Sequence, residues 1–160
     1  MGQVIAVVSG KGGTGKTSFT ANVGMALAQL GYTALCLDCD VGLRNLDIAM
    51  AMTDRAVMDF TDVMARSCSL EAAAVEHPKQ RGLYLLTAPN RMAAADVDRE
   101  AFRGLFPEIK ERFHSCLVDA PAGRDTGFRL AIAGADRAVV VTTTEESSLR
   151  DAQRTVMELG

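Results

Sequence analysis

A chain of 160 residues is the size of one ordinary domain and buries about 70% of the surface its unfolded form would expose, so a single core needs no staples. A net charge of −3 supplies no overall basic field and argues against a protein that grips nucleic acid or an anionic membrane by global charge. Cys36, Cys39, Cys68 and Cys116 lie in or beside apolar stretches, no secretory leader pattern opens the chain, and no apolar run approaches the roughly 18 residues of a bilayer span; the sequence reads as cytosolic and reduced.

The first apolar run, Val4 to Val8, is continuous rather than alternating, as in a strand covered on both faces. It leads directly into SGKGGTGKTS, residues 9–18. Within that stretch Gly10, Gly15, Lys16 and Thr17 fit G-x-x-x-x-G-K-[ST] between a strand and a helix, where a phosphate-binding loop has to stand. The backbone of Gly10, Lys11, Gly12, Gly13, Thr14, Gly15, Lys16, Thr17 and Ser18 is therefore the candidate nucleotide cradle. Its N–H groups and the positive end of the helix face phosphate oxygens. In such a loop Lys16 reaches the β- and γ-phosphates and the Thr17 hydroxyl ligates Mg²⁺. Lys11 is a second lysine that an ordinary loop of this kind does not require.

Phe19, Val23, Ala26, Leu27 and Leu30 recur at helical spacing, with Gly31 as the stop. The second strand, Thr33 to Leu37, ends in CLDCDVGLRNLD. There Asp38 and Asp40 are two apart at the carboxyl end of a parallel strand and share one direction, an arrangement that suits a metal and a water. Cys36 and Cys39 spell C-x-x-C, but residues three apart on an extended strand point to opposite faces, so they read as packing residues.

Further on, MDFTDVM (residues 58–64) reads as helical, and Ser69 is a fitting N-cap for LEAAAV (residues 70–75). Leu83 to Leu86 is a third strand. Phe102, Phe106, Ile109 and Phe113 form a helical stripe that Pro107 splits, or whose second helix it opens. His77 and His114 sit at element boundaries with no evident partner, and the methionines from Met50 to Met64 read as core filler. A fourth strand, Cys116 to Val118, delivers Asp119 at its end, the place for an acid that holds a metal-bound water. After Ala138 to Val141, the stripe Leu149, Ala152, Val156 and Leu159 predicts a last amphipathic helix, with Ser148 and Asp151 at capping-box spacing. Strand and helix alternate throughout, which predicts a three-layer α/β doubly wound, mostly parallel sheet with right-handed crossovers.

KGGTGKT, with lysine at the second position of the motif, resembles the deviant Walker A loop of the MinD/ParA ATPases, a SIMIBI-type branch of the P-loop NTPases. The resemblance implies an ATP-dependent homodimer in which Lys11 crosses to the nucleotide of the second subunit. It also implies ATP and Mg²⁺ as ligands and slow, partner-stimulated hydrolysis. In that scheme Asp40, Lys11 and Lys16 are catalytic, with Asp40 orienting the attacking water, while Thr17, Asp38 and Asp119 belong to the metal's surroundings. GLRNLD, residues 42–47, resembles the MinD branch rather than the partition proteins, which carry a Pro-Gln-Gly-Asn continuation. Flagellar-number regulators use a similar loop, commonly with alanine at the place of Arg44.

DAPAGRDTGFRLAIAGAD is similar to the branch's second switch segment, and VVVTTTEESSLRDAQR to the strand and helix at its dimer face, although Thr142–Thr144 departs from the usual Asn-Pro. The MinD branch implies division-site placement, a MinC/MinE-like regulatory partner, no specific nucleic acid, and a cytoplasmic protein that is peripheral at the inner membrane in full-length form. Members of the family continue into strands that recognise adenine and a C-terminal amphipathic helix. Residues 1–160 are thus expected to be one P-loop domain without them, as a piece of a longer chain or a natural short form. Alternative readings are a flagellar-number or partition-type ATPase and a non-hydrolysing nucleotide-binding module. An iron–sulfur ATPase needs cysteines placed to bridge a cluster across a dimer, and in this chain none follows Asp119; for DNA binding the chain offers only the scattered Arg124, Arg129 and Arg137.

Overall fold

The computed structural model describes residues 1–160. Six strands, β1 (Gln3–Val8), β2 (Ala34–Asp38), β3 (Val75–Glu76), β4 (Leu83–Leu86), β5 (Ser115–Asp119) and β6 (Arg137–Val140), form one sheet in the order β3-β4-β2-β5-β1-β6. All neighbours are parallel except β3, which pairs antiparallel with β4. The chain moves outward from β1 to β2 and β4, returns to place β5 between β2 and β1, and then lays β6 on the far side of β1. Ligands of open parallel sheets bind beyond the carboxyl ends of the strands where such a winding reverses, and here those ends belong to β1, β2 and β5.

Eight helices cover the sheet: α1 (Lys16–Gln29), α2 (Leu46–Ala49), α3 (Phe60–Met64), α4 (Leu70–Ala73), α5 (Arg99–Arg103), α6 (Phe106–Arg112), α7 (Thr126–Ile132) and α8 (Glu146–Leu159). Alternate residues of the buried strands go to opposite sides, as the continuous apolar runs require. One side packs Leu35, Leu37 and Cys39 with Phe60, Phe102, Phe106, Ile109 and Phe128 from α3 and α5–α7. The other packs Cys36, Leu85 and Leu117 under α1 and α2 with Met50 and Met52. Phe102 meets both Phe60 and Phe106 edge-to-face, at centroid distances of 5.1 and 5.2 Å, and so joins α3, α5 and α6. Cys36 and Cys39 accordingly enter different cores, and all four cysteines are free. No helix is long and apolar enough to cross a membrane.

Several local signals act as read. Gly31 adopts a left-handed φ of 92° just past α1. The Ser69 hydroxyl accepts the Ala72 N–H at the start of α4, Pro107 lies in the first turn of α6, and Asp59 and Asp62 form a capping box on α3.

Four readings change, the first at His114, whose Nδ1 accepts the Thr33 N–H at 3.0 Å. Val75 is not helical: α4 ends at Ala73 and the chain turns into β3. His77 has partners, with its Nε2 at 2.9 Å from the Met50 carbonyl oxygen and its Nδ1 accepting the Lys79 N–H, so it closes the β3–β4 turn over the Met50 loop from a buried position. The last helix starts earlier than its capping signal, at Glu146, and Ser148 lies buried inside it. Its inward side is Ser148 and Thr155, whereas Leu149 and Val156 are 50% and 56% exposed. The reason is close approach. A Cβ on Gly10 would lie 2.5 Å from the Asp151 carbonyl oxygen, so α8 comes up against the backbone of the phosphate loop, where small side chains fit and leucine does not.

Candidate functional site

Residues 9–15 connect the end of β1 to α1. Gly13 and Gly15 take left-handed φ values of 74° and 87°, which glycine adopts without steric cost. Gly15 is the N-cap of α1, and no side chain caps the helix or places a negative charge in its first turn. The first N–H groups of this 14-residue helix are therefore left as donors at its positive end, a site suited to an anion.

Beneath the loop stands Asp119, at the end of β5 and only 1% exposed. Three side chains of α1 converge on it. Lys16 Nζ lies 3.2 Å from its Oδ1, Thr17 Oγ1 donates to its Oδ2 at 2.8 Å, and Thr20 Oγ1 donates to Oδ1 at 3.2 Å. A buried ion pair repays its desolvation only when its remaining lone pairs are satisfied, and the two hydroxyls do that here. The Lys16 carbonyl oxygen, one helical turn back, lies 3.0 Å from the same Thr20 hydroxyl, whose single proton is shared between the two acceptors.

Above this floor opens a cavity of about 310 Å³ lined by Ser9, residues 12–18, Asp40, Asn45 and Ala122. Ala122 is the one hydrophobic residue in its lining, and the cavity carries the site. A larger groove of about 730 Å³ between α3–α4 and α5–α6 gathers mainly apolar side chains such as Met64, Leu70 and Leu105 and has no comparable convergence of charge.

The structure separates the two acids of CLDCD. Asp40 lines the cavity, and partial burial raises its pKa against the opposing pull of the Lys16 ammonium. Asp38 lies behind it, with Oδ1 accepting the Asp40 N–H at 2.9 Å and Oδ2 accepting the Leu46 N–H at 3.2 Å. Burial pushes Asp38 up to about 7 despite those two bonds, with the charges of Asp119 and Asp40 adding to the rise. Asp38 shapes the loop that carries Asp40 and stays outside the cavity lining. Gly10 is pressed against α8, and Lys11 also turns that way, with Nζ 3.2 Å from Ser147 Oγ and 3.5 Å from Glu145 Oε2.

Of the residues read from the sequence, Lys16, Thr17 and Asp119 meet, Asp40 faces them across the cavity, and Asp38, Gly10 and Lys11 stand apart from it. The sequence reading missed Ser9, Thr20 and Asn45. Thr20 was legible as the residue one helical turn beyond Lys16, on the same face. Ser9 and Asn45 flank the motifs and carry no spacing signal of their own.

The residues fit a phosphate-bound Mg²⁺. Nowhere do three His, Cys, Asp or Glu side chains converge on a point, and Mg²⁺ at a nucleotide needs no such cage. It takes substrate phosphates, waters and one or two protein oxygens, and the Thr17 hydroxyl beside Asp119 supplies them.

Residues 2–159 match the protein family described as AAA domain. The septum site-determining protein MinD of Synechocystis is 41% identical over 156 residues, which is 98% of this chain and 59% of that protein. The MinC:MinD cell division protein complex of Aquifex aeolicus superposes with a TM-score of 0.88 at 42% identity, covering 98% of this chain and 63% of that one. The septum site-determining protein MinD of Pyrococcus horikoshii, complexed with Mg-ADP, gives a TM-score of 0.88 at 31% identity, covering 99% and 65%. The chain thus spans about three-fifths of the length of these relatives.

Proposed function

From its place in the MinD/ParA family of P-loop ATPases, to which this chain belongs, we propose that it forms the nucleotide-binding part of a MinD-type switch. In this reading it binds ATP with Mg²⁺, pairs with a second copy around the nucleotide, and hydrolyses ATP slowly. The pairing is its output in placing the division site. The observation that carries the reading is the convergence of Lys16 and Thr17 on Asp119 under a polar cavity that Asp40 faces. A non-enzymatic strand-to-helix turn has no use for a buried lysine held at that point.

The roles follow from position. The N–H groups at the start of α1 bind phosphate oxygens, and Lys16 neutralises charge on the β- and γ-phosphates. Mg²⁺, when bound, would offset phosphate charge; Thr17 would hold it directly and Asp119 through a water. Asp40 orients the attacking water from the cavity wall.

Lys11 lies outside its own cavity, and its contacts to Ser147 and Glu145 are exposed, worth at most about 1 kcal/mol. That pair is exchanged at little cost for a contact with the triphosphate of a second copy, where a cation supplied in trans is worth about 10³- to 10⁵-fold in related chemistry. The Aquifex relative is solved together with MinC, which supports a regulatory partner of that type.

Size-exclusion chromatography with light scattering tests the reading. Asp40→Ala is expected to accumulate as a dimer in Mg-ATP and to remain monomeric in Mg-ADP, while Lys16→Ala stays monomeric under both nucleotides and turns over no ATP. Monomeric Asp40→Ala under both nucleotides, together with turnover that survives Lys16→Ala, would sink it.

A further inference from the structure

Ser9 ends the apolar run of β1 and begins the phosphate loop. It is fully buried, its Oγ has no hydrogen-bond partner, and it lines the 310 Å³ cavity with Asp40 and Ala122. Buried hydroxyls are rarely left unpaired in native folds, and an exception calls for an account. Its carbonyl oxygen accepts the N–H of Gly123, in the segment that follows Asp119, at 3.3 Å.

Position tells what the hydroxyl meets. In a loop of this kind the backbone donors running into the helix take the α- and β-phosphates, and here those donors are at residues 13–18, where the Thr14 hydroxyl is also buried and unpartnered. Ser9 stands at the opposite end of the loop, where β1 ends beside the segment that carries Ala122 and Gly123, and it lines the cavity together with Asp40. A triphosphate laid along the loop with its nucleoside side toward α1 brings its terminal phosphoryl group to that end.

We propose that the Ser9 hydroxyl donates a hydrogen bond to the terminal phosphoryl oxygen of a bound triphosphate, so that Ser9 distinguishes tri- from diphosphate. This rests on the nucleotide site proposed above. Because the same residue holds Gly123 through its carbonyl, the presence of the terminal phosphoryl and the placement of the segment after Asp119 are joined through one residue.

Ser9→Ala removes only the hydroxyl. The parent, Ser9→Ala and Lys16→Ala are compared by calorimetric titration with Mg-ADP and with Mg²⁺ and a non-hydrolysable imido analogue of ATP, and each protein is melted without nucleotide. The unliganded Ser9→Ala protein is expected to melt at or above the parent, since it loses an unpaired buried group. Its affinity for Mg-ADP should stay within about twofold, and its affinity for the analogue should fall about tenfold, as befits a hydrogen bond to a charged acceptor.

Analogue affinity unchanged in Ser9→Ala, or both ligands weakened equally, would overturn the assignment. Lys16→Ala losing both ligands in the same series would show that the site itself stands. A parent that binds neither ligand would remove the site reading and this inference together.

Discussion

Asp136 makes its contribution through charge that a sequence pattern does not display. Lys110 Nζ lies 2.7 Å from its Oδ1, and the Val4 N–H donates to its Oδ2 at 2.8 Å, tying α6, the start of β1 and the turn before β6. The Lys110 bond first, then the Val4 bond, hold its carboxyl below the usual carboxylate range. The folded chain therefore gives up this proton at lower pH than the unfolded chain does. The resulting stabilisation is complete above the unfolded value of about 3.9 and fades as the pH falls through the lower folded value. Asp136→Asn keeps an acceptor for Val4 and removes the charge. Because the pair is more than one-third exposed on the acid's side, the expected loss at pH 7 is modest, about 0.5–1 kcal/mol by urea unfolding. The two proteins should converge only once the pH has fallen below the lowered folded value, and a difference that persists there would point to lost packing instead. The acids of the site carry the same lesson about legibility. Asp38 and Asp40 are alike in the sequence and two residues apart, yet one has both oxygens taken by backbone N–H groups and the other faces the cavity. That division depends on how the chain folds back at Leu46, which no spacing rule contains.

At the scale of elements, α1 shows a glycine chosen for distance. A Cβ on Gly24 would meet Cys36 Sγ at 2.5 Å and Leu83 Cδ1 at 3.1 Å, because the helix crosses β2 and β4 in close contact. Alanine in place of glycine gains about 1 kcal/mol in a helix, whereas forcing an extra carbon into a packed core costs about 1–3 kcal/mol. Cys36 is fully buried on a central strand and has nowhere to go, so the overpacking wins. Gly24→Ala is expected to lower the stability by about 1–2 kcal/mol in chemical denaturation, and an unchanged or raised midpoint would refute the packing argument. The strands were legible because a buried parallel strand leaves a continuous apolar run, and the observed ends move by a residue or so. β3 escaped the reading because two residues hold no period. α8 was placed but its inward face was misread, since the apolar stripe that predicts a core-facing side yields to the small residues, Ser148 and Thr155, that pack inward.

On the scale of the whole molecule, the proposed switch hinges on whether Lys11 serves its own nucleotide or that of a second copy. Within one chain its side chain is 44% exposed and pairs with Glu145, itself 71% exposed, so the contact is screened and weak. Lys11→Ala should therefore unfold within about 1 kcal/mol of the parent, while its ATP turnover falls by about 10³-fold or more, the scale of a cation supplied in trans to a phosphoryl group. Loss of turnover alone does not place the lysine, because a residue acting on its own site gives the same result. Mixing does. A Lys11→Ala chain retains Lys16 and a complete phosphate loop, whereas a Lys16→Ala chain retains Lys11; paired around one nucleotide, the first supplies the pocket and the second the crossing cation. Turnover restored on mixing two separately inactive preparations, rising with the product of their concentrations, is the outcome expected of a shared site. If the mixture is as inactive as its parts while each variant still folds, Lys11 acts within its own chain, and the pairing step has to be sought elsewhere on the molecule.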